Sequence, residues 1–183
     1  MKKFLILALA AASVVTYVGC NKSTNNTPPC TSHTLEQDRV SIDSFKNATG
    51  ASYLEFKSDY YCYIGVADPG TGSKAAADSL IAFKRTISTF YGNSQISVTS
   101  DSVYRNDGRD LRASDLQGTT DGIYRYFINN VNEGGTVRII YPSSANSLGA
   151  YGCQQLTTND GKNIPAYSQV IVDLKLTSVK KGS

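Results

Sequence analysis

The chain has 183 residues, with 18 Lys and Arg against 15 Asp and Glu, twelve tyrosines and no tryptophan. That length holds one ordinary domain plus extensions. Five of the cations (Lys2, Lys3, Lys22, Lys180 and Lys181) sit near the ends, so a net charge of +3 leaves no basic face for nucleic acid. The sequence carries no repeat period, and beyond its N-terminus no apolar run long enough to span a bilayer.

Lys2 and Lys3 precede "FLILALAAASVV", an apolar stretch of signal-peptide rather than spanning length. Gly19-Cys20 follows it. A cysteine after a small residue at the end of such a stretch resembles a bacterial lipobox, although Tyr17 stands where that pattern usually has an aliphatic residue. The resemblance implies cleavage before Cys20, acylation of its thiol, export, and anchoring to a membrane that faces the periplasm or the cell exterior. The alternative is plain secretion, with Cys20 lost in the leader. Several acyl chains at about 0.8 kcal/mol per buried CH₂ would anchor the protein durably.

With Cys20 lipidated, Cys30, Cys62 and Cys153 remain. An exported protein can form one bridge and keep one thiol, or keep three thiols. A Cys62–Cys153 bridge is one such pairing. There is no CxxC, and the lone His33 lies in a polar stretch, so neither a metal site, a cofactor site nor a cysteine–histidine nucleophile is expected.

Residues 20–33 include "NKSTNNTPPCTSH", which reads as a tether. Residues 34–50 read as a short helical extension. Thr34 and Gln37 have capping-box spacing, Leu35, Ile42 and Phe45 form one apolar stripe, and Asn47 to Gly50 end it. The period then changes to two. "DYYCYIGVA" reads as a strand closed by the turn "DPGTG", and "SLIAFKRTISTFY" as a long strand turned by "GNS" into "QISVTS". Residues 106–122 read as loop. "IYRYFINNVN" reads as a short helix, with Ile123, Phe127, Ile128 and Val131 at helical spacing. "TVRIIYP" is a strand and residues 143–163 a long loop. A closing strand alternates Val170, Val172, Leu174 and Leu176 with Ile171, Asp173 and Lys175, one buried face and one mostly wet. The sum is an α+β domain over residues 52–183: an antiparallel sheet, one short helix against it, and one long loop. "GVADPGTGSK" is not a phosphate loop, because Ser73 separates Gly72 from Lys74 and a strand follows.

Three blocks in order resemble the FKBP-type peptidyl-prolyl isomerases. They are "YIGVADPGTGSKAAADSLIAF", "NEGGTVRIIYPSSANSLGAYG" and "IPAYSQVIVDLKLTSV". The resemblance covers roughly residues 52–179, with an insertion near 88–94. Together with the lipobox and tether, the chain looks like a lipoprotein of the Bacteroidetes type. The resemblance implies a twisted antiparallel sheet wrapped around one short helix, with a proline pocket between them and no cofactor. It also implies proline-containing polypeptides as clients.

Carried over by position, Tyr151 matches the tyrosine whose hydroxyl reaches the ligand carbonyl in the family. Ile164 matches the apolar residue bordering the pocket, and Tyr124 falls near the floor position, usually Trp. Val172 stands where the last strand usually has Phe, Val98 (or Ile96) replaces a second Phe, and Lys84 stands for a Tyr. Each has a plainer role: Tyr151 as a turn filler, Tyr124 and Val172 as core, Lys84 as a solvated cation. With several walls smaller or polar, the resemblance implies isomerase activity that is weak or absent. A non-catalytic binding or structural lipoprotein on the same fold is the alternative, and an unrelated α+β lipoprotein a third reading.

Overall fold

A computed structural model describes residues 31–91, 94–104, 111–117, 122–145, 153, 156–157 and 163–182, with strands 94–104 and 156–157 described by backbone. Helix α1 (Leu35–Thr49) begins where its capping residues dictate. The Thr34 side chain accepts from the Gln37 amide at 3.3 Å, and the Gln37 side chain accepts from the Thr34 amide at 2.8 Å. Two otherwise orphaned amides are thereby satisfied. Gly50 ends the helix in the left-handed conformation at φ +69°.

The main sheet has seven strands, all paired antiparallel. In chain order they are β1 (Glu55–Lys57), β2 (Cys62–Asp68), β3 (Leu80–Tyr91), β4 (Ser94–Tyr104), β5 (Leu111–Arg112) and β6 (Thr136–Tyr141), with β9 (Gln169–Lys180) closing it. The spatial order is β1-β2-β6-β9-β3-β4, with β5 also on β3. A separate pair joins β7 (Leu156–Thr157) to β8 (Asn163–Ile164). Helices α2 (Ala113–Gln117) and α3 (Gly122–Asn130) lie between β5 and β6 in the chain. The expected α+β arrangement is present, a largely antiparallel sheet with a short helix packed on it.

Helix α3 buries Ile123, Phe127 and Ile128 against Ile64, Phe83, Val137, Ile139, Val172 and Leu174 of the sheet. At about 1.5–3 kcal/mol per fully buried large apolar side chain, this face carries most of the cohesion. The opposite face is not the wet one that the alternation predicts. Ile171, Ile140 and Phe90 pack there with Ile42 and Phe45 of α1, Phe45 stacking on Phe90 at a 4.3 Å centroid distance. Asp173 and Lys175 look polar because α1 does not cover them as it covers Ile171. Strand periodicity cannot distinguish solvent from a distant helix.

Three short elements escape the sequence pattern. The 106–122 segment holds β5 and α2, where Ala113 and Leu116 are the buried residues of a single helical turn too short to show a period. A 3₁₀ turn over Ser143–Ala145 and the pair β7–β8 occupy part of the 143–163 loop. Strand β1 has one apolar residue, Phe56, between two charges.

Two turns bind each other beside α3. The Asn132 amide donates to the Pro69 carbonyl at 2.8 Å, the Gly72 amide to Glu133 at 3.0 Å, and the Glu133 amide to Ser73 at 2.9 Å. A Cβ on Gly70 (φ +72°) would meet the Asn132 carbonyl oxygen at 2.6 Å, so only glycine admits this approach. The apparent phosphate-loop lysine is accounted for here. Lys74 Nζ donates to the carbonyls of Asn129 and Val131, at 2.6 and 3.2 Å, at the C-terminal end of α3, where a cation suits the exposed carbonyls.

Asp38 ties α1 to the far end of the sheet. Its side chain is fully buried. Ser143 Oγ donates to it at 2.7 Å, the Ser144 amide at 2.8 Å and Gln169 Nε2 at 3.0 Å. Burial alone would raise its pKa, but the donors from Ser144, Ser143 and Gln169 outweigh that and hold the carboxyl below its ordinary value.

Gly70→Ala should cost about 2–4 kcal/mol, combining left-handed strain with a backbone clash. Gly134→Ala, at φ +87° with nothing within 4 Å of its Cβ, should cost only about 1–2 kcal/mol. Urea unfolding of both variants checks the order. A depressed folded-state pKa means that Asp38 stabilises above the unfolded carboxylate value of about 3.9, and that this contribution is lost as pH falls below it through the folded value. Asp38→Asn should therefore cost about 2–4 kcal/mol at neutral pH and progressively less in acid, read from unfolding curves between about pH 7 and 2. A pH-independent difference would contradict the assignment.

Candidate functional site

The face of the sheet under α3 is set by cross-strand register. Val172 on β9 pairs with Ile87 on β3 and Ile139 on β6, while Phe83 pairs with Leu176, Arg85 with Leu174 and Thr89 with Val170. Side chains alternate across a strand, so Phe83, Arg85, Ile87 and Thr89 share this face with Val170, Val172 and Leu174. At the N-terminal end of α3, Tyr124 packs on it half-buried, its ring 5.7 Å from that of Phe83 and inclined at 55°. Phe127 meets the same Phe83 ring edge-on at 5.6 Å and 63°. Tilted aromatic contacts of this kind favour a fixed geometry.

Of the residues expected at a proline pocket, Tyr124 and Val172 come together in one apolar cluster. Val172 is 4% exposed and Ile164 1%. Ile164 sits on β8 opposite Leu156. Lys84 does not join Val172. It pairs with Lys175 and so lies on the opposite face, because the strand phase puts its neighbours Phe83 and Arg85 inward. Val98 pairs with Ser88 along the β3–β4 hairpin, its position known by backbone. Tyr151 and Cys20 lie outside the described residues.

The sequence comparison therefore missed Phe83, Arg85, Ile87 and Thr89 as the residues that β3 offers to the site. The signal was available in the odd-numbered phase of "FKRTIST", obscured because that run mixes polar and apolar residues on both faces. Thr89 is fully buried and its hydroxyl has no hydrogen-bond partner among the described residues.

Asp173, the acidic residue of the closing strand, faces away from Val172. It takes two hydrogen bonds of 2.8 Å from the Arg138 guanidinium across the β6–β9 pair. These bonds raise the Arg138 pKa, against the opposing effect of burial. The pair is structural.

The cysteines correct one expectation. Cys62 is a buried thiol outside any disulfide, whereas Cys153 is disulfide-bonded. A Cys62–Cys153 bridge is thus excluded, and Cys62 on β2 belongs to the apolar cluster under α3.

A cavity of about 470 Å³ lies on the other face, between α1 and strands β1 and β2. Arg39, Lys46, Leu54, Phe56 and Tyr63 line it, with Glu36, Val40, Asp43 and Glu55. Arg39 stands 5.9 Å over the Phe56 ring and Lys46 Nζ 5.6 Å over that of Tyr63.

No family model matches the chain, and no curated protein matches it. Solved structures similar to it include FkpA from Escherichia coli, at 12% identity and a TM-score of 0.37, covering 81% of this chain and 64% of that one. A peptidyl-prolyl cis-trans isomerase from Pseudomonas syringae is similar at 15% identity and a TM-score of 0.40, covering 82% of this chain and 99% of that one. The three FKBP domains of wheat FKBP73 give 13% and 0.35, over 70% of this chain and 48% of that one. The chain thus spans just under two thirds of FkpA and about half of the wheat protein.

Val172→Phe adds aromatic bulk at a side chain that is 4% exposed. Packed as tightly as Val172 is here, the larger ring should cost about 1–3 kcal/mol of stability, measured by thermal or urea unfolding. A neutral or stabilising result would mean that open pocket volume adjoins Val172.

Proposed function

We propose that the chain is an exported, lipid-anchored FKBP-type peptidyl-prolyl cis-trans isomerase of low activity, acting on X-Pro bonds of exported polypeptides. Residues 1–19 serve as the leader, Cys20 carries the lipid, residues 20–33 lead to the domain, residues 34–50 form its helical extension, and residues 52–183 the FKBP-like domain. The observation that carries the reading is Tyr124 tilted on Phe83 at the start of α3, above the same sheet face as Val172. Tyr151 and Ile164 would complete the site from the long loop.

Rotation about a peptide bond opposes C–N resonance, a barrier of about 18–20 kcal/mol. X-Pro bonds populate both isomers and exchange slowly. Neither nucleophile nor metal is needed. An apolar enclosure that holds the twisted amide better than either planar form lowers the barrier, and aromatic walls contribute by excluding water. Tyr124 and Phe83 supply such a wall. Val172, Ile87 and Arg85 supply less aromatic surface than a tight proline clamp needs, which supports low activity.

A second reading, a non-catalytic FKBP-like binding or structural lipoprotein, is favoured by two observations. Val172 and Ile164 are almost fully buried, and the cavity described above lies on the α1 face. A protease-coupled assay on an X-Pro peptide separates the two. The isomerase reading expects a rate above the uncatalysed one that falls in Tyr124→Ala and Tyr151→Phe. A rate equal to background at high protein concentration leaves the non-catalytic reading, and full activity in both variants removes the pocket assignment.

A further inference from the structure

Residues 31–34, which composition assigns to tether and helix cap, are engaged with the domain. The His33 ring lies flat on the Tyr167 ring, centroids 3.7 Å apart and planes 6° from parallel. His33 Nδ1 is 3.2 Å from the buried Asp38 Oδ1. The Tyr167 hydroxyl donates to the Thr31 carbonyl at 3.1 Å. The stacked rings and the Tyr167–Thr31 hydrogen bond thus join this short stretch to the turn between β8 and β9, and the His33–Asp38 contact joins it to α1.

That turn is itself unusual. Tyr167 is one of two non-glycine residues with positive φ among the described residues, at +62°, a conformation that L residues adopt reluctantly. It is held from below as well. Gln169 Nε2 donates both to the Tyr167 carbonyl and to Asp38, each at 3.0 Å, while Gln169 Oε1 accepts from the Ser143 amide at 2.7 Å. Ser168 Oγ donates to the Pro165 carbonyl at 2.7 Å. Three donors from Ser143, Ser144 and Gln169 already satisfy Asp38, so His33 is not needed to keep the carboxylate solvated. What His33 adds is a cover on Tyr167.

We propose that residues 31–33, which precede the Thr34 cap, are a detachable strap that holds the turn over residues 165–168, with His33 as its positioning residue. Thr31 and Ser32 are exposed and His33 is partly so, so the strap can peel without opening either face of the sheet. Peeling removes the stack and the Thr31 acceptor together and frees Tyr167 to leave its strained conformation. The turn directly follows Ile164-Pro165. Displacing the strap therefore loosens the turn next to Ile164. The consequence for proline binding rests on the isomerase reading; the coupling of strap to turn does not.

His33 is the only histidine in the chain, so its ring C–H signals are read without assignment in proton NMR of the whole protein. They should lie upfield of an unstructured histidine because of the Tyr167 ring, and Tyr167→Leu should return them. Amide exchange over residues 164–169 should accelerate about tenfold in His33→Ala and less in His33→Phe, which keeps a flat ring on Tyr167, while α3 and β6 keep their protection. Wild-type histidine signals at the unstructured position, or unchanged exchange over 164–169 in His33→Ala, would overturn the strap. If His33→Ala fails to fold, the wild-type signal and Tyr167→Leu decide alone. Where the isomerase assay shows a rate, His33→Ala should raise KM more than it lowers kcat. A chain without isomerase activity leaves the exchange result standing.

Discussion

Strand β9 has to hide both of its faces, and the rest of the molecule is arranged around that requirement. It runs between β6 and β3 in the sheet. Val170, Val172, Leu174 and Leu176 point to α3, while Ile171 points to α1. Backbone amides and carbonyls of a central strand are satisfied only by neighbours on both edges, and its side chains leave water only if both faces are covered. Helix α3 alone leaves Ile171, Ile140 and Phe90 exposed. Helix α1, capped independently by Thr34 and Gln37, supplies the second cover. Its stripe is narrow, so Asp173 and Arg138 lie beyond the centre of the contact, where an ion pair about a quarter exposed is tolerated.

Asp38 gives that second cover its position. A buried carboxylate is unfavourable unless each oxygen finds donors, and the donors here come from the turn after β6 and from the first residue of β9. Apolar contact between α1 and the sheet would allow sliding along the strands. The hydrogen bonds to Ser143, Ser144 and Gln169 favour one register, since displacement strands a charge away from water. The same cluster bears on Tyr167 through Gln169, so the placement of α1 and the shape of the turn after Ile164 are not independent.

The candidate site inherits its character from β3. Its inward phase is Phe83, Arg85, Ile87 and Thr89, and two of these four are polar. FKBP-type chemistry relies on an apolar, water-excluding enclosure for the twisted amide. A guanidinium and a buried hydroxyl on that wall work against it, whereas Tyr124 and Phe83 work for it. That balance is the physical basis of the low activity proposed above.

Much of the architecture was legible in the residues themselves. The Thr34–Gln37 box, the two-residue period of β2, β3, β6 and β9, and the helical spacing of Ile123, Phe127 and Ile128 are local patterns that encode their own element. Less of the site was legible. Tyr124 and Val172 lie in one apolar cluster, whereas Lys84 pairs with Lys175 on the opposite face. A one-residue difference in strand phase exchanges the two sides of a sheet, and only pairing with β9 determines that phase. Short elements such as β1, β5 and α2 lack enough residues to show a period. The sequence alone determined which segments are helix and strand, because those preferences act over a few residues. Tertiary structure decided which side of each strand faces α3 and what covers the reverse face. It also decided that His33, alone in a polar stretch, lies on Tyr167, because that contact joins residues more than 130 positions apart.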